Sequence, residues 1–187
     1  MLDKKKLRKK IHALKLEFSE KQLSKWQAQL DERLLHFFAA KGRAGLWAAY
    51  RAMPREASLE KILKKVNKKI EFCFPRVEGQ GMNFYLAKNL AKDFEEGAYG
   101  ILEPKKNRKK ISRKEMVGAI IPMLAFDMKG TRLGRGKGYY DRYFEGFSGT
   151  KVGLAFHWQY SGDCLPKEGH DLTLDYAITE KKEIRFS

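Results

Sequence analysis

The chain has 187 residues, 43% of them apolar and 12% aromatic, and a formal net charge of +16 at neutral pH. That length suits one ordinary domain, which can bury about 70% of its unfolded surface without disulfides or a structural metal. Five Pro and 16 Gly exclude a low-complexity or collagen-like chain. No apolar run approaches the roughly 20 residues of a membrane span. The basic start, Met1 to Lys6, leads into no signal-like apolar stretch, so a cytoplasmic location without membrane partners is expected. Cys73 and Cys164 form no CxxC pair; both are expected to stay reduced, and a zinc site is unsupported. The charge attracts nucleic acid, phosphorylated cofactors and polyglutamate tails alike, without naming one. Its densest run, Lys105-Lys106-Asn107-Arg108-Lys109-Lys110, lies between apolar segments and reads first as a solvated loop.

In chain order, Leu7, Ile11, Leu14 and Phe18 form one helical stripe. Ser19 to Gln22 fits a capping box, after which Leu23, Trp26, Leu30, Leu34 and Phe38 keep helical spacing until Gly42. Ala44 to Tyr50 is a short, continuous apolar run, as expected of a strand buried on both faces. Ser58 is placed to cap a third helix with Leu59, Ile62, Leu63 and Val66 inward. Ile70 to Phe74 is a second buried strand, stopped by Pro75. Helix between two buried strands is the βαβ signature. Met82 to Ala87, Val117 to Ile121, Lys151 to Phe156 and Tyr176 to Thr179 read as further strands, and Lys137 to Phe144 as a short helix. The pattern predicts a single α/β domain over residues 1–187, with a mixed, mostly parallel sheet flanked by helices on both faces. Ligands bind such sheets at the carboxyl ends of the strands, which directs attention past Ile121.

There, Gly130, Gly134, Gly136 and Gly138 are interleaved with Arg132, Arg135 and Lys137. Glycines permit positive φ and close approach, backbone N–H groups and a helix start supply donors, and arginine binds phosphate bidentately. Two common phosphate templates fail. A P-loop finds Thr131 in place of its first glycine and Gly138 in place of its Ser/Thr, and a dinucleotide fingerprint finds Tyr139 in place of its third glycine. Asp141 follows at the start of the predicted helix. A carboxylate there either holds Mg²⁺ against phosphate oxygens or complements the helix dipole.

Pro122, Phe126-Asp127, Gly130, Arg132-Leu133-Gly134, Gly136 and Gly138-Tyr139-Tyr140-Asp141 resemble the signature of the 5-formyltetrahydrofolate cyclo-ligase family. Lys4-x-x-x-Arg8, Tyr50 to Glu56, Pro75-Arg76-Val77, Ile101-x-Glu103-Pro104, His170-Asp171 and Asp175 have counterparts in the same order. The resemblance implies a cytoplasmic, monomeric enzyme that uses ATP and Mg²⁺ to cyclise 5-formyltetrahydrofolate to 5,10-methenyltetrahydrofolate, releasing ADP and phosphate. It also implies roles. Arg135 and Lys137 are its catalytic cations. Lys4, Arg8 and the run Arg132, Leu133, Gly134, Arg135, Gly136, Lys137, Gly138, Tyr139 and Tyr140 would bind ATP. Arg51, Glu56, Tyr139 and Tyr140 would bind the folate, and Asp141 and Asp171 the metal. The two tyrosines either stack on the bound ring or pack the helix start; Asp127 either assists the metal or orients the loop. The usual G-E-V/I-D-like context around the glutamate is Arg55-Glu56-Ala57-Ser58 here. The positive charge either favours polyglutamylated folates or reflects composition. Three other readings compete: an ATP-dependent ligase or kinase with a different acceptor, a basic nucleic-acid-binding module, and a folate-binding relative that has lost catalysis, against which the intact Arg132 to Asp141 segment argues. The second lacks aromatics interleaved with its basic run, so no specific nucleic-acid partner is expected.

Overall fold

The computed structural model describes residues 3–97 and 100–186. Asp3 caps α1 (Lys4–Glu17), its carboxylate accepting from Lys5 N at 2.8 Å. Ser19 opens α2 (Glu20–Lys41) with the expected reciprocal box: its hydroxyl accepts from Gln22 N at 3.2 Å and its own N–H donates to the Gln22 side chain at 2.9 Å. There follow β1 (Gly45–Ala48), α3 (Glu60–Leu63), β2 (Ile70–Glu78), β3 (Gly81–Leu86), β4 (Phe94–Glu96), β5 (Leu102–Pro104), β6 (Lys110–Ile111) and β7 (Met116–Pro122). The chain closes with β8 (Ala125–Phe126), β9 (Arg132–Leu133), α4 (Tyr139–Tyr143), β10 (Thr150–Leu154), β11 (Tyr176–Ile178) and β12 (Glu183–Arg185).

Eight strands form one sheet in the order β12-β11-β10-β7-β1-β2-β3-β6. The five central strands run parallel; β12 and β3 flank them antiparallel, and β6, antiparallel to β3, runs in the direction of the central strands. Alternation along the strands separates two cores. Trp47, Phe72, Phe74, Ile120, Val152 and Leu154 face α2 and α3, meeting Leu30, Leu34, Phe37, Phe38 and Ile62. The opposite face carries the small side chains Ala48, Cys73, Ala119, Ala155 and Ala177, which let α4, Phe144 and Phe147 approach closely. Gly118 has a packing reason too, since a Cβ there would lie 2.4 Å from the Trp47 ring.

Three expectations change in detail. β2 runs through Pro75 instead of stopping there. Its pairing with β1 ends at Cys73, while β3 continues alongside to Glu78. Val77, in phase with Pro75, aims its N–H away from β3 at the Glu103 carboxylate (3.1 Å), so the donor that proline lacks is one β3 does not need. The third helix is a single turn whose N-cap is Leu59 and not the expected Ser58; Ser58, one residue earlier, only accepts from Glu60 N at 3.2 Å. The helix expected from Lys137 shrinks to α4 because Gly138 holds φ at +65°, outside the helical region. Both cysteines are free. The chain turns from β1 toward β2 and later returns to β7 on the other side of β1. That reversal is the topological switch point where α/β sheets open a crevice.

Candidate active site

A cavity of about 460 Å³ opens at the carboxyl ends of β1 and β7, lined by the segments that follow both strands. Every site residue singled out from the sequence lines it: Lys4, Arg8, Arg51, Glu56, the whole run Arg132–Asp141, and Asp171. The run is held from below by Asp127, almost wholly buried. Its Oδ1 accepts from Lys129 N and Thr131 N, and its Oδ2 from Leu165 N, all at 2.9 Å. Asp127 therefore orients the loop.

Arg132 turns inward. Its Nη2 donates to Asp141 Oδ1 at 2.6 Å and its Nη1 to the Pro122 carbonyl at 3.2 Å, while the guanidinium lies 5.7 Å from the Tyr140 ring centre. A Cβ on Gly134 would stand 2.7 Å from that guanidinium. Arg8 arrives from α1 and donates through Nε to the Gly134 carbonyl at 2.8 Å; a Cβ on Gly136 (φ +96°) would sit 3.1 Å from its Cζ. These two glycines thus make room for arginines. One helical turn away, Lys4 Nζ contacts Asp171 Oδ2 at 2.6 Å and Glu168 Oε1 at 2.9 Å. Burial alone would lower the Lys4 pKa, but the two carboxylates outweigh it and raise it. Burial likewise opposes ionisation of Asp171, yet the Lys4 bond and the Glu168 N–H hold it below the ordinary carboxylate range.

Across the cavity, Glu56 accepts from Met53 N at 2.9 Å through Oε2, while Oε1 pairs with Arg135 of the loop. Tyr50 is buried behind it and donates to the Ala57 carbonyl at 2.5 Å. Arg51 pairs with Glu60 at 2.9 Å and lies over Phe94. Tyr140 packs under Arg132 and stacks on Phe144, and burial pushes its hydroxyl pKa up. Tyr139 carries Arg142 over its ring at 5.5 Å. So a carboxylate, a cationic glycine loop and apolar walls from Met53, Val77, Met82 and Ile101 share one crevice.

Residues 1–180 match the sequence model of the 5-formyltetrahydrofolate cyclo-ligase family. The chain belongs to that family. It is 29% identical over 184 residues to the 5-formyltetrahydrofolate cyclo-ligase of Mycoplasma genitalium, covering 95% of this chain and 98% of that one. The Haemophilus influenzae 5-formyltetrahydrofolate cyclo-ligase is 39% identical over 80 residues, 41% of this chain and 42% of that one. Among solved structures, the 5,10-methenyltetrahydrofolate synthetase of Aquifex aeolicus superposes with a TM-score of 0.81 at 30% identity, covering 97% of this chain and 92% of that one. The Mycoplasma pneumoniae synthetase superposes at 0.77 with 24% identity, over 96% and 99% of the two chains, and attests the same fold. The chain is thus a member of a family of ligase enzymes that act in folate one-carbon chemistry.

Four further polar residues near the site carried no motif. His12 continues the spacing Lys4, Arg8, His12 on α1, and Lys15 follows three residues on, which is the signal that locates them on the cavity-facing side. Burial, then the nearby Arg135 and Lys15 charges, lower the His12 pKa; burial also lowers that of Lys15, against the attraction of Glu56. Glu168 joins Asp171 around Lys4, with no sequence signal of its own. Arg55 sits beside Glu56 at a positive φ of 64°.

For a divalent cation, the donor chemistry fits. Asp141 is bonded through Oδ1, to Arg132 and to Leu172 N, and Asp171 through Oδ2, to Lys4 and to Glu168 N. The bonds shown among the described residues use one oxygen of each carboxylate, and a carboxylate oxygen is the hard donor that Mg²⁺ prefers. Ligand atoms of Glu168, His170 and Asp171 also lie within 4.8 Å of one another.

Proposed function

We propose that this chain joins 5-formyltetrahydrofolate and ATP to give 5,10-methenyltetrahydrofolate, ADP and phosphate. One observation carries the reading: Arg135 of the glycine loop pairs directly with Glu56. A carboxylate suited to the amino and ring N–H groups of a pterin thus stands beside a cationic loop suited to a triphosphate. The formamide oxygen is a poor leaving group. Transfer of the γ-phosphoryl group to it gives an electrophilic iminium phosphate; the nitrogen at position 10 attacks the formyl carbon and gives up its proton, and phosphate departs with the oxygen and that proton. Such transfer rests on alignment and charge stabilisation more than on covalent help.

In this reading Glu56 exchanges Arg135 for the pterin, which turns the guanidinium toward the phosphoryl oxygens beside Lys137. Lys4, Arg8 and Arg132, with the backbone from Leu133 to Gly138, hold the nucleotide. Arg51, Tyr139 and Tyr140 border the folate. Mg²⁺, bound by Asp141 and Asp171, would neutralise charge on the phosphate oxygens. The setting proposed is a cytoplasmic monomer acting on folates with one or several glutamates; no described helix is long and apolar enough to cross a membrane.

The test is absorbance of the methenyl product with 5-formyltetrahydrofolate, ATP and Mg²⁺, each omitted in turn. Product is expected only in the complete mixture, and Glu56→Gln should raise the folate KM far more than the ATP KM. Folded, ATP-binding protein that forms no methenyl product refutes the reading. An ATP-consuming activity untouched by Glu56→Gln would move the acceptor to another chemical class.

A further inference from the structure

The turn that presents Glu56 is built against the usual residue preference. Glu56 N donates to Met53 O at 3.0 Å, closing a four-residue turn with Pro54 at its second position and Arg55, φ +64°, at its third. Proline cannot take a positive φ, so among the standard turns this is type II, whose third position favours glycine. An arginine there bears a steric penalty that glycine avoids.

The side chain shows what offsets that penalty. Arg55 Nε and Nη2 both donate to the Lys15 carbonyl at 3.2 Å, Nη2 also reaches the Phe18 carbonyl, and Nη1 pairs with Glu20. Lys15 lies in the last turn of α1, Phe18 is its C-cap, and Glu20 begins α2. The guanidinium thus satisfies carbonyls left unpaired at a helix C-terminus and complements the negative end of its dipole. At its other end the same helix sets Lys4 on Asp171 and Arg8 on the Gly134 carbonyl. Lys15 lines a small hollow with Tyr50, Arg55 and Glu56. One rigid helix therefore spans both halves of the cavity, and Arg55 ties it to the Glu56 turn.

We infer that Arg55 is a positioning residue that locks the Glu56 turn to α1, holding the folate carboxylate and the nucleotide cations in register. The inference rests on the folate reading of Glu56. Calorimetric titration of Arg55→Gly with 5-formyltetrahydrofolate and, separately, with a non-hydrolysable ATP analogue tests it. Glycine keeps the turn's φ without the steric penalty and removes the clamp. Both dissociation constants should rise, each about tenfold (~1.4 kcal/mol), although Arg55 lines neither the loop nor the metal site. Arg55→Lys should recover part of both losses, since an ammonium can still donate to the carbonyls but lacks the guanidinium fork.

A purely structural role would lower the melting temperature and leave both constants within about twofold on the folded protein, which overturns the inference. Weakening of one ligand alone overturns it too, because the clamp then serves one half only. Wild-type protein that fails to bind 5-formyltetrahydrofolate overturns the folate reading itself, and the clamp with it.

Discussion

Removing Asp141 should unfold the protein earlier as well as stop it working, and the size of that effect follows from one ion pair. Arg132 has only 3% of its side chain exposed and Asp141 14%, at 2.6 Å separation. Deleting one member of a buried pair costs about 3–5 kcal/mol, because the other charge stays buried without compensation. Asp141 borders the cavity, where water can partly screen the abandoned guanidinium, so Asp141→Ala belongs near ~3 kcal/mol. At about 2.1 cal/mol/K of unfolding entropy per residue, a chain of this length changes by roughly 0.4 kcal/mol per degree, and the melting temperature should fall by about 7–8 °C. Asp141→Asn keeps an oxygen for Arg132 and Leu172 N and should fall about half as far. The double replacement Arg132→Met, Asp141→Leu removes both buried charges and should lose less than the two single changes together. The assay is calorimetric melting at pH 7 without Mg²⁺. Asp141→Ala melting within about 2 °C of wild type would refute the reasoning.

Gly136→Ala places a Cβ at φ +96° and 3.1 Å from Arg8 Cζ. It should cost about 1–2 kcal/mol of stability and weaken binding of an ATP analogue, measured by calorimetry, without altering folate affinity. Asp127→Ala strands the N–H groups of Lys129, Thr131 and Leu165. A loss of about 3 kcal/mol is expected in denaturant titration, and the Mg²⁺ concentration for half-maximal residual activity should stay that of wild type. Burial and neighbouring cations, Arg135 and Lys15 for His12 and Lys181 for His157, hold both folded pKa values below 6.5. Above 6.5 neither state carries the proton; as pH falls below it, the unfolded chain binds protons that the folded one resists, so stability declines. His12→Gln with His157→Gln should flatten the melting temperature between pH 7.5 and 5, and an already flat wild-type profile would count against both shifts.

Legibility tracked how local each cause was. The Ser19–Gln22 box and the apolar runs of β1, β7 and β10 were readable because their causes lie within a few residues. The passage of β2 through Pro75 was not, since it depends on where β1 ends and which edge Val77 faces. β4, β5, β8 and β9 span two or three residues each, too short for any periodicity to show.

The site followed the same rule, with one twist. The glycine loop was recognisable as a cationic, flexible-backbone segment, and the interleaved glycines suggested space for phosphate. The structure shows that Gly134 and Gly136 first admit arginines from this loop and from α1. Arg8 lies 126 residues from its carbonyl partner and Arg135 79 from Glu56, separations over which sequence spacing carries no contact information. Each of four cations already has an internal partner: Lys4 on Asp171, Arg8 on Gly134, Arg132 on Asp141 and Arg135 on Glu56. An incoming triphosphate would therefore exchange partners with carboxylates and a carbonyl instead of meeting bare charge. Much of the Coulomb gain is offset by those broken contacts. Affinity should accordingly depend on the geometry of these four exchanges far more than on the net charge of +16.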